Sequence, residues 1–246
     1  MEPMRLELLA DLAKLALFVA GAYLALQGWA RRRQPGWSHT LRRRRLAVLV
    51  ALMLAMSAIK VIEDVVAKES GPVDSAIMWL IRAQVPAALD GFFAILTLSG
   101  STAFLLPASV IAALLLLLAR RRFEAVLLGA SMLTAPLLVY VLKVLVGRDR
   151  PLLWEAQSYW GSSFPIGHTL ASAAFAVAAA LCLVRIWPRF VWLPMTVALL
   201  WAGLVALSRL VLGVHWPSDV LAALCLGMFI PLSFSLVFDQ EPARHP

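Results

Sequence analysis

The chain has 246 residues, 62% of them hydrophobic and 15% charged, with a formal net charge of +8. A mean hydropathy of +0.85 lies far outside the balance of a water-soluble domain, so the sequence reads as a membrane protein. Much of the positive excess falls in "RRR" at Arg31–Arg33 and "RRRR" at Arg42–Arg45, beside apolar runs, where a membrane surface accounts for it better than nucleic acid does.

A bilayer core of about 30 Å takes about 20 apolar residues per helix. Windows of that kind run from Leu8 to Ala30, Leu46 to Val66, Phe92 to Ala119, Glu124 to Val146, Thr169 to Ile186, Val191 to Leu212 and Asp219 to Phe238. Asp11 and Lys14 interrupt the first, which leaves an amphipathic interfacial anchor as the alternative there. The opening "MEPMRLELLADLAK" is acidic and mixed, and a removable signal peptide is not expected. Lys60, Glu63 and Asp64 are expected to pair along one helix face. "GPVDSAIMWLIRAQVPAALD", with Pro72 and Pro86, reads as a segment lying along the membrane interface, and its Asp90 as the cap of the third span. Cys182 and Cys225 sit in apolar runs without metal-ligand spacing, so neither a disulfide nor a metal site is expected. The fold class is all-α, a polytopic membrane bundle. Residues 1–45 form an N-terminal helix and basic loop, and 46–246 form the membrane-embedded domain.

Arginines occur in the 31–45 loop, at Arg120–Arg122, and at Arg185 and Arg189. All of these fall on one side of the proposed weave, which the positive-inside rule makes cytoplasmic. Trp29, Trp187 and Trp192 then mark the inner interface, and Trp154, Trp160 and Trp216 the outer one. His39 and His245 read as solvated.

Three polar stretches share the outer side: "KVLVGRDRP" at Lys143–Pro151, "FPIGHT" at Phe164–Thr169 and "SRLVLGVHWPSD" at Ser208–Asp219. Together they supply the cations Lys143, Arg150 and Arg209, the histidines His168 and His215, and the carboxylate of Asp219. Phosphoryl transfer needs charge neutralised on the equatorial oxygens and the reacting atoms held in line, which lysine and the planar fork of arginine serve. Near Gly167 a helix N-terminus offers N–H donors to an anion. A neutral imidazole with its second nitrogen held by an acceptor is a nucleophile, so His215 is assigned that role with Asp219 orienting it. His168 is the acid that protonates the leaving oxygen. Arg148 and Asp149 read as a local surface pair outside the site. No cofactor is required.

The order K-x6-RP, P-x-GH, SR-x5-H-x3-D resembles the signature of the type 2 phosphatidic-acid phosphatase superfamily, whose fold is shared with vanadium haloperoxidases. The resemblance covers about Asp90 to the C-terminus. It implies a six-helix core, here with one additional N-terminal helix, that hydrolyses phosphate esters or anhydrides through a phosphohistidine without a metal. It also implies phosphate binding by Lys143, Arg150, Gly167 and Arg209, with Ser208 in the same motif. One departure stands out. The middle motif of the family usually reads P-S-G-H, whereas this chain has Ile166 in place of the serine, unless Ser162 or Ser163 supplies the hydroxyl. Loss of such a donor costs about 1.5 to 3 kcal/mol.

The expected activity is hydrolysis of a lipid phosphate or diphosphate at the extracytoplasmic surface of a bacterial plasma membrane, with undecaprenyl diphosphate or a glycerophospholipid phosphate as substrate. A phosphotransferase and a lipid-phosphate-binding protein weakened at Ile166 are the alternatives. The partners are the substrate lipid and the bilayer; nucleic acid is not one of them.

Overall fold

The computed structural model describes residues 2–151 and 161–238; Trp154, Trp160 and His245 lie outside the described residues. Ten α-helices are present among them: α1 (Glu2–Arg33), α2 (Pro35–Arg43), α3 (Arg45–Val66), α4 (Gly71–Gln84), α5 (Asp90–Leu98), α6 (Thr102–Leu118), α7 (Arg122–Val146), α8 (Gly167–Ile186), α9 (Trp192–Val211) and α10 (Pro217–Phe238). Seven stretches are long and apolar enough to cross a membrane: Leu9–Arg33, Arg45–Val66, Ala87–Leu118, Arg122–Val146, Gly167–Ile186, Trp192–Val211 and Pro217–Phe238. The protein is an integral membrane protein with an all-α bundle fold.

Helix α8 is the centre of the bundle, packed against α7, α9 and α10; α3 lies on α10, and α1 on α3. Its buried side is almost all small: Ala173, Ala174, Ala176, Ala178 and Ala180. Where lipid is as apolar as leucine, helices associate through close packing, and small residues permit the approach. At the tightest point, Gly227 of α10 faces α8 so closely that a Cβ would stand 2.5 Å from the Leu170 carbonyl oxygen and 2.7 Å from Ala173 Cβ.

The third span is interrupted, contrary to the continuous helix expected from Phe92 to Ala119. α5 stops at Leu98 and α6 starts at Thr102. Polar residues explain the break: the Ser99 hydroxyl donates to Leu96 O at 2.7 Å, and Ser101 caps α6 by accepting from the Phe104 N–H at 3.3 Å. Gly100 between them packs against α9, where a Cβ would come within 2.6 Å of Val205 Cγ1. Asp90 does not cap α5. It takes Arg82 of α4 as an ion-pair partner at 3.1 Å, because the chain doubles back between the two helices.

The 71–84 stretch is a helix that docks one face on the bundle. Asp74 and Met78, one turn apart on α4, are both buried. Met78 joins Ile166, Leu170 and Ala135 in one apolar cluster. At the opposite end, Arg185 meets Glu124 at 3.5 Å and Arg44 meets Ser235 at 3.3 Å, so the arginine-bearing turns gather away from α4. Lys60 pairs with Asp64 at 2.8 Å and Glu63 at 3.6 Å as its spacing requires. Cys182 and Cys225 are buried thiols.

Gly227→Ala is expected to force α8 and α10 apart, because the obstructing atom is backbone. Overpacking of this kind costs roughly 1–3 kcal/mol, read as a lowered thermal midpoint of the detergent-solubilised protein; an unchanged midpoint would mean that the two helices slide freely.

Candidate active site

The three polar stretches converge at the end of the bundle where α4 docks. α7 ends at Val146 because Gly147 takes the left-handed conformation (φ 59°), a common helix stop that glycine adopts without Cβ strain. Arg150 is thus placed by a loop, two helical turns not being available to align it with Lys143. Its guanidinium ties the loops together: Nε donates to Gly161 O at 3.1 Å, Nη1 to Val214 O at 3.0 Å, and Nη2 to Ser162 O at 3.5 Å. The Ser163 N–H donates to Arg148 O at 2.8 Å, joining the first motif to the second.

His215 lies in the loop between α9 and α10 and is 3% exposed. Its Nδ1 stands 2.8 Å from Ser163 O and its Nε2 stands 3.1 Å from Arg150 Nη1. A carbonyl oxygen only accepts and a guanidinium only donates. The two contacts therefore specify one neutral tautomer, with the proton on Nδ1 and the lone pair of Nε2 facing the cation. Burial pushes the imidazole well below its ordinary pKa of 6.5, and the charges of Arg209, Arg150 and Lys143 push in the same direction.

Arg209 is 2% exposed and donates from Nη1 to Thr97 Oγ1 of α5 at 3.0 Å; it does not snorkel from its helix end. The Ser208 hydroxyl donates to Val205 O at 2.6 Å within α9, so its proton serves the helix. Gly167 and His168 form the first turn of α8, whose leading N–H groups have no helical acceptor. The half-buried His168 feels the charges of Arg209, Lys143 and Arg150, the same cations whose charges act on His215. The side chain of Ile166 is fully buried in the apolar cluster. Neither nearby serine replaces the family hydroxyl: Ser162 Oγ donates to Phe164 O, and Ser163 Oγ donates to Asp219.

Asp219 does not hold His215 directly. Its Oδ2 is 3.9 Å from Nδ1, while the Ser163 carbonyl is 2.8 Å away. The carboxylate instead accepts the Ser163 hydroxyl at 2.8 Å and the Trp216 N–H at 3.2 Å, fixing both sides of the imidazole through the backbone. The expected Arg148–Asp149 surface pair is also replaced. Arg148 Nη1 bonds Asp219 at 2.5 Å and Nη2 bonds Asp74 at 2.7 Å, with its guanidinium 5.5 Å from the Trp216 ring centroid. A guanidinium shared by two buried carboxylates satisfies charges that would otherwise be costly to bury. Trp216, expected at the membrane interface, takes part in this network and donates from Nε1 to Asp149 O at 3.0 Å.

Sequence reasoning missed Asp74, Arg148, Thr97 and Ser163. Asp74 and Thr97 carried a usable signal, since a polar group inside an apolar stretch implies a partner. Ser163 is marked in the sequence only as a source of a hydroxyl; its contribution to His215 is a backbone carbonyl, which no side-chain pattern announces.

Residues 124–242 match the model of the PAP2 superfamily. Phosphatidylglycerophosphatase B of Escherichia coli K12 is 42% identical over 70 residues, which are 28% of this chain and 26% of that protein. The undecaprenyl-diphosphatase of Sulfolobus acidocaldarius is 31% identical over 157 residues, covering 61% of this chain and 71% of that one. The crystal structure of a transmembrane PAP2 type phosphatidylglycerolphosphate phosphatase from Bacillus subtilis superposes with a TM-score of 0.72 at 25% identity, covering 79% of this chain and 98% of that one. With the motifs, the bundle and a relative matched over most of its length in agreement, the chain belongs to the PAP2 superfamily.

Proposed function

We propose that this protein hydrolyses a lipid phosphate or diphosphate through a phosphohistidine on His215, at the extracytoplasmic face of a bacterial plasma membrane. The observation that carries the reading is the tautomer of His215: a neutral imidazole with its lone pair aimed at Arg150 presents a nucleophile where a cation draws phosphate oxygens. Lys143, Arg150, Arg209 and the Gly167 N–H neutralise the equatorial oxygens. Nε2 attacks phosphorus as the bond to the lipid oxygen breaks in line with it, and His168 delivers a proton to the departing oxygen. The products are a lipid alcohol, or a lipid monophosphate when a diphosphate is cleaved. His168 then takes a proton from water as its oxygen displaces Nε2 from phosphorus, releasing inorganic phosphate and restoring the imidazole. Asp219 positions His215 through Ser163 and Trp216. Ile166 adds only its backbone N–H.

The membrane placement supports a lipid substrate, whose chains stay between helices while the headgroup reaches His215. The extracytoplasmic assignment rests on the arginine-bearing turns lying at the other end of the bundle. The named relatives act on an isoprenoid diphosphate and on glycerophospholipid phosphates, and these two classes are the proposed substrates.

Detergent-purified protein is expected to release phosphate from such lipids with EDTA present, because side-chain cations supply the positive charge. His215→Ala should lower the rate by roughly three orders of magnitude or more. No release from any lipid by folded protein would sink the hydrolase reading.

Gly167→Ala tests the anion site. A Cβ there meets only Val139 Cγ1, at an ordinary 3.7 Å, so the fold tolerates alanine, while a bound phosphate would meet the methyl. The expected result is an unchanged thermal midpoint with activity lowered about a hundredfold; wild-type activity would place the phosphate elsewhere.

The His215 environment also predicts a pH effect. Above the ordinary value of 6.5 the imidazole is neutral in both folded and unfolded chains and contributes nothing. Below it only the unfolded chain takes up the proton, so folded stability is lost as pH falls. Between pH 7.5 and 5.5 the thermal midpoint of the wild type should fall further than that of His215→Gln; equal slopes would mean an unperturbed imidazole.

A further inference from the structure

Helix α4 is joined to the site by a side chain that no motif contains. Asp74, 2% exposed, accepts the Ser218 N–H through Oδ1 at 2.8 Å, and the Ser218 hydroxyl and Arg148 Nη2 through Oδ2 at 2.6 and 2.7 Å. Pro217 opens α10 and has no N–H, so Ser218 carries the first orphan donor of that helix, and Asp74 caps it from a different helix. Asp219, the next residue, reaches back to the Trp216 N–H in the manner of a capping box. Arg148 spans the two carboxylates, and Ser218 Oγ accepts from its Nη1 at 2.7 Å. Ser70, just before α4, accepts from Nη2 at 3.0 Å. From Asp74 an unbroken series of contacts leads through Arg148 to Asp219, to the Ser163 hydroxyl, and through the Ser163 carbonyl to His215 Nδ1.

We propose that Asp74 is a positioning residue for the nucleophile: by fixing Arg148 and the first turn of α10, it sets the placement of Asp219 and so aims Nε2 of His215. This rests on the reading of His215 as nucleophile. Asp74 touches neither substrate nor His215. Its removal should therefore leave phosphate binding intact and slow the chemical step, since small displacements of a reacting group cost rate far more than affinity.

The test compares wild type, Asp74→Asn and Arg82→Gln, all full-length in detergent. Thermal midpoint, kcat and KM on a lipid phosphate, and affinities for inorganic phosphate and orthovanadate are measured. Orthovanadate reports nucleophile placement because it bonds to Nε2 at five-coordinate geometry, whereas phosphate needs only the cations. Asp74→Asn is expected to lower kcat about tenfold to a hundredfold and to weaken orthovanadate, with KM and phosphate affinity held. Arg82→Gln loosens α4 from α5 without touching Arg148, and should keep wild-type kcat. A wild-type kcat in Asp74→Asn overturns the proposal. So does a parallel loss of kcat in Arg82→Gln, which would reduce the role of α4 to docking. If Asp74→Asn fails to fold, Ser218→Ala, which removes one bond to Asp74, is read the same way: lower kcat at constant KM supports the proposal and unchanged kcat overturns it. A wild type that turns over no lipid but binds orthovanadate defeats the hydrolase reading while the orthovanadate comparison still decides this one. A wild type that binds neither anion defeats both.

Discussion

A membrane bundle that gathers charged side chains at one end has to keep them together where water is scarce, and the Arg148 bridge between Asp74 and Asp219 is the contact on which this cluster depends. An isolated buried carboxylate is costly, and removal of one member of a buried pair leaves the other uncompensated. Here one guanidinium serves both carboxylates. The hydroxyls of Ser70, Ser218 and Ser163 and the N–H groups of Trp216 and Ser218 take up the remaining hydrogen-bonding capacity. The network is rigid because each carboxylate also caps a backbone donor at the start of α10. Charge compensation and helix geometry are thus the same set of bonds.

Around this network the apolar architecture is built for close approach. Alanine-rich α8 allows α7, α9 and α10 to pack against it, and that packing brings the motif loops together at one end. The break in the third span performs a related task. A continuous helix would carry its polar residues past the site, whereas the short α5 delivers Thr97 to the buried Arg209, and Trp201 donates to the Ser99 hydroxyl at the break. The buried guanidinium gains an acceptor at the expense of helical continuity, a cost the serines offset by bonding the freed backbone groups.

Much of this was legible beforehand. Apolar windows located the spans to within a few residues, because length and hydropathy are dictated by the bilayer. The spacing of Lys143, Arg150, His168, Arg209, His215 and Asp219 marked the groups that converge. What stayed hidden was of two kinds. Contacts between residues far apart in sequence, such as Asp74 with Arg148, have no periodicity to announce them, and Arg148 looked paired with its neighbour because adjacency was the only geometry on offer. Backbone acceptors are invisible in side-chain inventories, which is why Asp219 stood in for the Ser163 carbonyl as the partner of His215. Ile166 was legible as a departure from the family pattern. Its burial beneath Met78 shows where the side chain went: the position belongs to the apolar packing that holds α4.

The chain separation of the bridging residues bears on biogenesis. Asp74 and Asp219 lie far apart along the chain with Arg148 between them, so the ends of the bridge are separated by more than half of the 246 residues. Closing so long a loop costs conformational entropy that grows with its length, and contacts this far apart in sequence form slowly. A chain in which α10 has not docked therefore holds Lys143, Arg148 and Arg150 without the Asp219 carboxylate that Arg148 bonds in the folded bundle.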